Sequence, residues 1–472
     1  MLPARRPLPA LLTLLLLAAC DNPARPRVEE AAAATLPRTV LGRRVEVRAP
    51  AAERVHVEWT EGGAARRTPD VAVVGDRAGV TVLGLAADAE HEVTVVAEGR
   101  GGTARRALRF RTDPLPPAVA RLSLAVTGQP PGEWVLLDAL RLDSPGVLAA
   151  FDGAGTLRWY REFEGDAPVV EAKPLADGHV IAYLGRSNGW QAVEGGYVEV
   201  DAAGEEVRRF GAAAPLFTDG HEALVTDPGT PAERLHVIGY DHREVDLAPL
   251  GLGRAEMAMH AVQRLRPDRT PEFTWNGWDH VGVDELVNPI FPDMVEGTDV
   301  DHANSIALDE AGDYVVSFRN LDAVWLLDRE TGEVRWRLGG ARSDFTFLDD
   351  PLGGFSGQHT ATLLPGGRLL VFDNGTHHDP PTTRAVEYAL DVPARTARRV
   401  WEFRHPGGHF NQFTGSAYRQ PDGSTWVGMS EVGIVSRVEP SGAIAWEGTL
   451  LLDGAPTAVY RAVPMAPRWG VP

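Results

Sequence analysis

Cysteine is almost absent from this chain, since Cys20 is the only one in 472 residues. A single cysteine cannot form a disulfide within the chain. It also excludes the metal sites and thiol redox chemistry that need two or more cysteines. The fold must therefore be stabilised by the burial of apolar surface, for which a chain of this length is ample.

Positive charge is also scarce. Lys and Arg number 46 against 65 Asp and Glu, which gives a formal net charge of −19. Such a field repels the phosphates of nucleic acids and of anionic membrane surfaces. The composition therefore excludes nucleic acid as a partner, and an anionic small substrate would need a local positive pocket.

The N-terminal residues have the order of a secretory signal peptide. Arg5 and Arg6 precede the apolar run Leu11 to Leu17, which is too short to cross a bilayer. The small residues before Cys20 resemble a lipobox, which implies that Cys20 is acylated and becomes the first mature residue. The alternatives are an ordinary signal peptide and a buried helix.

These features predict a lipoprotein of the cell envelope that faces the periplasm and is attached to the membrane through its lipid anchor. We expect a signal peptide over residues 1–19. A disordered tether should follow over residues 20–37, because that stretch is Pro, Ala and charge without an apolar period.

Short alternating runs fill residues 38–113, as in Val55-His-Val-Glu-Trp59. Alternation with a period of two between Gly, Asp and Arg turns is typical of antiparallel strands. The run from Val80, then His91-Glu-Val-Thr-Val, closing on Phe110-Arg-Thr-Asp-Pro, resembles a fibronectin type III domain. We therefore expect an N-terminal β-sandwich, in which His91 stands where that family usually has tyrosine.

The rest of the chain repeats. One element is a turn that leads to tryptophan, as in Asp152-Gly-Ala-Gly-Thr-Leu-Arg-Trp159, and it occurs in six copies, some of them loose. The other is a strand, a tight turn and a strand, as in His359-Thr-Ala-Thr-Leu-Leu-Pro-Gly-Gly-Arg-Leu-Leu-Val-Phe372. Each repeat supplies about four strands, which is one propeller blade. We predict an all-β chain with a six-bladed β-propeller over residues 118–472, with seven blades as the alternative.

Three histidines share one position in this repeat. Aligned by the turn, His221, His302 and His359 fall together in three successive repeats. The first strand of each blade lies innermost, so equivalent positions surround the central axis. Arg319 ends the next strand, and Arg186 has a related position in the first repeat. A guanidinium beside imidazoles binds tetrahedral oxyanions well.

Histidines that meet in this way can also bind a metal. No carboxylate shares their position in the repeat, and Arg319 would repel a cation, so we predict no metal site. Four aromatic residues in irregular segments are candidates to contact an aromatic ligand: Phe355, Phe410, Phe413 and Tyr418.

The motifs around the histidines resemble the bacterial aryl-sulfate sulfotransferases. They are Asp219-Gly-His221-Glu-Ala-Leu, Asp301-His302-Ala-Asn304-Ser-Ile with Ser317-Phe-Arg319, and Gln358-His359-Thr360-Ala-Thr-Leu with Phe372-Asp-Asn-Gly. The resemblance covers the predicted propeller, and all three motifs occur in the family's order.

This resemblance implies direct transfer of a sulfuryl group from an aryl sulfate to a phenol, without a nucleotide sulfate donor and without a cofactor. It implies that His359 is the nucleophile, that His221 and His302 assist it, and that Arg319 binds the sulfate. Neutral imidazole suits this role because the sulfate oxygens repel anionic nucleophiles. The expected substrate-binding residues are Asn304, Thr360 and Arg186. The alternatives are aryl sulfate hydrolysis and a non-catalytic propeller that binds a ligand or partner.

Overall fold

The computed structural model describes residues 24–140, 145–165, 169–187, 192–248, 253–287 and 299–471. These residues are mostly β-strand, which confirms the predicted all-β class. The predicted signal peptide and Cys20 lie outside the described residues. Within the described ranges, no helix has the length and apolar character needed to span a membrane.

Two sheets form the N-terminal part. Its strands are β1 (Glu30–Thr35), β2 (Gly42–Arg48), β3 (Arg54–Glu61), β4 (Ala64–Arg67), β5 (Val71–Ala72), β6 (Arg77–Leu83), β7 (Glu90–Gly99) and β8 (Gly102–Arg111). β1, β2 and β6 belong to one sheet, and β3, β4, β5, β7 and β8 to the other. Alternate residues of both sheets are buried in one shared core, among them Val45, Val80, Val57 and Val93. This alternation buries one face of each sheet.

The predicted disordered tether over residues 20–37 is wrong for residues 30–35, which form β1. This strand pairs antiparallel with β2, from Glu30 opposite Arg48 to Thr35 opposite Arg43. Ala31 also packs against the shared core. Alanine is a weak strand former, so the strand conformation here depends on pairing with β2, which the local sequence does not reveal.

The short helix α1 (Pro117–Ala120) leads into six further sheets. The strands of the first half are β9 (Leu122–Gly128), β10 (Trp134–Asp138), β11 (Gly146–Phe151), β12 (Leu157–Phe163), β13 (Val169–Pro174), β14 (Val180–Ser187), β15 (Ala192–Val200), β16 (Glu206–Phe210), β17 (Phe217–Thr226), β18 (Arg234–Asp246), β19 (Arg254–Leu265) and β20 (Pro271–Asn276).

The second half continues the pattern of short antiparallel strands. Its strands are β21 (Ala303–Leu308), β22 (Tyr314–Phe318), β23 (Ala323–Leu327), β24 (Val334–Gly339), β25 (Thr346–Leu348), β26 (His359–Leu364), β27 (Arg368–Asp373), β28 (Arg384–Asp391), β29 (Thr396–Phe403), β30 (Ser416–Arg419), β31 (Thr425–Met429), β32 (Ile434–Val438), β33 (Ile444–Leu452), β34 (Ala455–Pro456), β35 (Ala462–Met465) and β36 (Gly470–Val471). The 3-10 turns are Gly277–Asp279, Val283–Glu285, Arg319–Leu321 and Ser430–Val432.

Most of these sheets are built from consecutive strands. Sheet 1 contains β10 to β12, sheet 2 β13 to β16, sheet 3 β17 to β20, sheet 4 β21 to β24, sheet 5 β25 to β29, and sheet 6 β30 to β34. The turn tryptophans Trp159, Trp336 and Trp446 are buried, and the Trp159 indole donates to the carbonyl of Ala202 in sheet 2 at 3.0 Å. The repeated tryptophan therefore packs one sheet against the next.

Sheets 2 to 6 each contribute one inner strand, and these inner strands contact one another in sequence. β13 contacts β17, β17 contacts β21, β21 contacts β26, and β26 contacts β30. The C-terminal strand β35 completes this circle, since it pairs with β10 of sheet 1 and contacts both β13 and β30. The motif residues at the starts of these strands are thereby brought towards one centre.

The two ends of the chain are joined. β9 pairs with β33 of sheet 6, and β36 pairs with β6 of the N-terminal part. The Trp469 ring lies 6.3 Å from that of Trp59 and 5.2 Å from that of Trp134. The predicted domain boundary after residue 113 does not separate the two parts completely, because Gly470–Val471 add a strand to an N-terminal sheet.

Candidate active site

The inner strands are irregular where the three predicted histidines lie. The register between β17 and β18 shifts over a stretch that includes His221, and the register between β26 and β27 shifts directly after His359. In sheet 4 the shift follows His302, whose φ is 46°. Such bulges break the alternation of a strand and re-aim its side chains.

His221 and His302 lie against each other, with ring centroids 4.6 Å apart. Each ring is backed by an aspartate. The Nδ1 atom of His221 lies 2.8 Å from Oδ1 of Asp219, and Nδ1 of His302 lies 2.6 Å from Oδ2 of Asp299. An ionised carboxylate only accepts, so Nδ1 carries the hydrogen and Nε2 is left for a substrate. We call these the two Asp–His pairs.

His359 is held differently. Its Nδ1 lies 2.8 Å from Oδ1 of Asn374 and 3.2 Å from the carbonyl oxygen of Gly357. The Asn374 amide nitrogen donates to the carbonyls of Asn411 and Thr414, which fixes its oxygen as the acceptor towards His359. Both partners of Nδ1 are therefore acceptors. The neutral ring must carry its hydrogen on Nδ1 and its lone pair on Nε2.

Burial controls the protonation of these rings. It lowers the pKa of His359 well below the usual value, against the effect of the Asn374 bond, and the nearby charge of Arg319 lowers it further. Burial also lowers the pKa of His302, with Asp299 acting in the opposite direction. His359 is therefore a neutral imidazole at neutral pH, the form that has a free lone pair.

Arg319 supplies a buried positive charge. Its backbone N–H donates to the carbonyl of His302 at 3.0 Å, and its Nη1 donates to Oδ1 of Asn320 at 3.0 Å. The guanidinium carbon lies 5.6 Å from the centre of the Phe413 ring. Burial lowers the pKa of Arg319 from 12.5, with Asp322 and Asp299 opposing, but an arginine so shifted remains cationic at neutral pH.

The three predicted substrate-binding residues are placed differently. The amide nitrogen of Asn304 donates to the carbonyl of Gln358 at 2.7 Å, next to His359. The Thr360 hydroxyl donates to the carbonyl of Gly415 at 2.9 Å. Both side chains thus connect neighbouring inner segments. Arg186 lies in β14 at the backbone level, and its side chain lies outside the described residues.

The aromatic candidates separate into core and site. Phe355 packs in a hydrophobic core, and Tyr418 packs against another. Phe410 is exposed at the surface, with 39% of its area accessible. Phe413 alone of the four lies within cation–π distance of Arg319, so it is the aromatic ring beside the predicted sulfate-binding group.

Carboxylates lie beside the histidines. The expectation that no carboxylate accompanies them, which was one reason for predicting no metal site, is therefore corrected. Asp219 and Asp299 contact His221 and His302, but each engages the Nδ1 atom. Within the described ranges, the side chains whose ligand atoms lie within 4.8 Å of one another are those of Asp177, His179 and Glu199, in sheet 2. The Arg208 guanidinium already bonds Glu199 there at 2.7 Å.

His260 was missed by the sequence reasoning. It stands in β19, the third strand of sheet 3, with 3% of its area exposed. Its Nδ1 lies 2.7 Å from Oδ1 of Asp301, and its ring lies 6.2 Å from that of His302. A signal existed in the sequence: a histidine within the apolar run Met257-Ala-Met-His-Ala-Val must find polar partners if it is buried.

Comparison with known proteins supports part of this reading. The family model described as Arylsulfotransferase (ASST) matches residues 287–449. The matched span includes His302, Arg319 and His359. The match supports the predicted resemblance to this family and a sulfotransferase activity in general. A member of the family would be expected to bind aryl sulfates and phenols. No curated protein matches the chain.

Several solved structures are similar to part of the chain. A protein of unknown function from Bacteroides caccae is 10% identical, with a TM-score of 0.42, over 71% of this chain and 100% of that one. A protein from Lactobacillus plantarum is 12% identical, with a TM-score of 0.41, over 71% and 99%. Virginiamycin B lyase from Staphylococcus aureus is 10% identical, with a TM-score of 0.35, over 70% and 99%.

Proposed function

We propose that this protein is an aryl-sulfate sulfotransferase that transfers the sulfuryl group through a sulfohistidine at His359. One observation carries the proposal: His359 is a buried neutral imidazole whose Nδ1 hydrogen is engaged by two acceptors, so that the lone pair is on Nε2. The match of residues 287–449 to the arylsulfotransferase family supports the same activity.

The first half-reaction forms a nitrogen–sulfur bond. The Nε2 lone pair of His359 attacks the sulfur of the aryl sulfate, and the bond from sulfur to the aryl oxygen breaks. The departing phenolate takes a proton from Nε2 of a protonated His302 or His221, which act as general acids. The enzyme is left with a sulfuryl group on His359, and the first phenol is released.

The second half-reaction reverses these steps with a new phenol. The neutral imidazole of an Asp–His pair takes the phenol proton, and the phenol oxygen attacks the sulfur. The nitrogen–sulfur bond breaks, and its electron pair returns to Nε2 of His359. One product leaves before the second substrate reacts, so the proposal predicts ping-pong kinetics.

Arg319 supplies the positive charge that the acidic exterior lacks. Sulfuryl transfer develops charge on the sulfate oxygens and on the leaving oxygen, and preorganised donors stabilise this charge. The guanidinium of Arg319 is buried in a chain whose formal net charge is −19. A sulfate ester would therefore be attracted to this site rather than to the surface.

We infer further that sheets 1 to 6 are the blades of a six-bladed propeller and that the N-terminal sheets form a fibronectin type III-like sandwich. The circle of contacts among the inner strands supports the first, and the shared core supports the second. The lipid anchor at Cys20 is a separate proposal. Metabolic labelling with palmitate should mark the wild-type protein and not Cys20→Ala.

Incubation of the soluble domain with 4-nitrophenyl sulfate tests the activity, with and without phenol and with His359→Ala as the comparison. Release of nitrophenol that phenol stimulates and that His359→Ala abolishes would support transfer through His359. Phenol-independent release would indicate hydrolysis instead. No release over a panel of aryl sulfates and phenols would contradict the enzyme, and favour a ligand-binding propeller.

A further inference from the structure

His260 lies behind the two Asp–His pairs. While its Nδ1 faces Asp301, its Nε2 points to two other carboxylates, at 3.6 Å from Oδ2 of Asp219 and 4.0 Å from Oδ2 of Asp299. The backbone N–H of His260 also donates to Asp301, at 3.2 Å. One imidazole thus faces three carboxylates, of which Asp219 lies in β17 and Asp299 and Asp301 lie in the segment before β21.

Two of these carboxylates are the ones that back the predicted catalytic histidines. Asp219 uses Oδ1 for His221 and turns Oδ2 towards His260. Asp299 presents Oδ2 to both His302 and His260. His260 is therefore the point at which the two Asp–His pairs meet, although its own ring belongs to another strand, β19.

The buried negative charges of the three aspartates require a compensating cation. Asp219, Asp299 and Asp301 are all buried, and buried carboxylates are costly unless a cation or several donors compensate them. Although burial acts to raise it, His302 and His260 bring the pKa of Asp299 down to about 2, so this group is ionised. A cluster of three buried carboxylates thus needs a positive charge at the position that all three face, which is where His260 lies.

His260 is suited to provide that charge. Burial acts to lower the pKa of His260, but the neighbouring Asp301 and Asp219 raise it well above the usual value. Two titratable rings pack on it, that of His302 at 6.2 Å and that of Tyr240 at 6.1 Å. Burial raises the pKa of Tyr240 to about 12, so this phenol stays neutral. The backbone N–H of Ala303 also points at Nδ1, at 3.3 Å, but the carboxylates outweigh it and favour an imidazolium.

We propose that His260 is a cationic positioning residue that neutralises the aspartates of both Asp–His pairs and so sets how strongly His221 and His302 hold their protons. This inference rests on the proposed function, because that function requires both rings to exchange a proton with phenols. An aspartate with its full charge makes its imidazole more basic than an aspartate that shares its charge with a second cation. Shared charge keeps the pairs able to release a proton and take it back.

The substitution His260→Gln removes the charge and keeps a polar side chain. Its matched control is His236→Gln. His236 is another buried histidine of sheet 3, bonded to the Tyr314 hydroxyl at 2.8 Å, and burial lowers its pKa to about 4, so no charge is lost in the control. The pH dependence of kcat/KM is then measured for phenyl sulfate, whose leaving group needs a proton, with a substituted phenol as acceptor, and separately for that acceptor.

We expect His260→Gln to move the alkaline limb of the phenyl sulfate profile and the acid limb of the acceptor profile to higher pH, by about one unit. His236→Gln should leave both limbs in place. An unchanged profile in His260→Gln, with activity reduced equally at every pH, would show a structural role only and overturn the proposal. If His260→Gln fails to fold, Asp301→Asn removes the partner that keeps His260 charged and should shift the profile in the same direction.

A second measurement needs no activity. The ring ¹⁵N signals of labelled histidine report the charge of His260 in the wild-type protein, assigned by its loss in His260→Gln. The signal should remain that of an imidazolium at pH 8, and a neutral ring there would overturn the proposal. A protein that carries a charged His260 and transfers no sulfuryl group would contradict the proposed function alone, so the two failures are distinguishable.

Discussion

His359 and Asn374 are joined by a hydrogen bond of 2.8 Å in which the acceptor carries no charge. His302 makes the equivalent bond to a charged acceptor, Asp299, at 2.6 Å. A carboxylate stabilises an imidazolium, whereas an amide oxygen does so far less. The two rings are therefore suited to different tasks. The ring with the amide partner can act as a nucleophile, and the rings with carboxylate partners can exchange protons.

Asn374→Asp tests this difference directly. The new carboxylate should raise the pKa of His359, so that the ring is protonated, and its lone pair lost, at every pH below the new value. We expect the acid limb of kcat/KM for 4-nitrophenyl sulfate to move to higher pH by about one unit or more, so that the loss is greatest at acid pH and activity recovers as the pH rises. A loss that is the same at acid and at alkaline pH would contradict this explanation.

Asp299→Asn should affect poor leaving groups most. Without the carboxylate, His302 loses the partner that favours its protonated form and becomes a weaker proton carrier. General acid catalysis contributes about 10²–10⁴-fold where it is needed, so turnover of phenyl sulfate should fall by at least tenfold. 4-Nitrophenyl sulfate, whose phenolate leaves without help, should be much less affected. Equal losses for the two esters would exclude His302 as the acid.

Arg319→Lys should reduce turnover strongly although the charge is kept. A lysine cannot reproduce the planar fork that binds two sulfate oxygens at once. Loss of one preorganised donor to a developing oxyanion typically costs about 10²–10³-fold in kcat. Arg335→Lys, at a half-exposed ion pair with Asp313 and Asp328, is the control and should retain wild-type turnover.

Phe413→Leu should raise the KM for aryl sulfates several-fold with little change in kcat. The Phe413 ring lies beside Arg319, where the aryl group of a bound ester would contact it. Phe410→Leu, three residues away on the same segment and exposed, serves as the control. If both variants have wild-type KM values, the aryl group is held elsewhere.

The buried histidine His236, which lies outside the site, should make the stability of the fold depend on pH. Its folded-state pKa of about 4 lies below the unfolded value of about 6.5. The neutral buried ring therefore costs no stability above about pH 6.5, and the free energy of unfolding decreases as the pH falls from 6.5 towards 4. The difference amounts to about 3 kcal/mol over this range. Urea unfolding at pH 7 and pH 4.5 should show a smaller loss of stability for His236→Gln than for the wild type.

The sequence predicted the β-class and three of the site histidines for the same reason. Period-two alternation and repeated turns are local, and the repeat places His221, His302 and His359 within or next to the inner strands β17, β21 and β26. Their convergence then follows from the topology alone. Arg319 was predicted at the end of the next strand, and in the structure its 3-10 turn follows β22. The family motifs added the expectation that it binds sulfate.

The partners of these histidines could not be read in the same way. His260 lies in a strand that no motif marks, and its carboxylates belong to β17 and to the segment before β21. Asn374 was within a quoted motif, yet its role depends on the carbonyls of Asn411 and Thr414, far along the chain. Contacts of this kind are fixed by how sheets pack, and local periodicity carries no information about them.

The placement of β35 and β36 has a consequence for biogenesis. The chain emerges from the ribosome in order, and sheet 1 is completed only by pairing of β10 with β35. β36 likewise completes an N-terminal sheet through β6. Neither part can reach its final pairing before residues 462–471 are synthesised. Until then the nascent protein exposes the unpaired edges of β10 and β6. A polypeptide truncated before these residues would keep those edges exposed and would be recognised by chaperones and proteases.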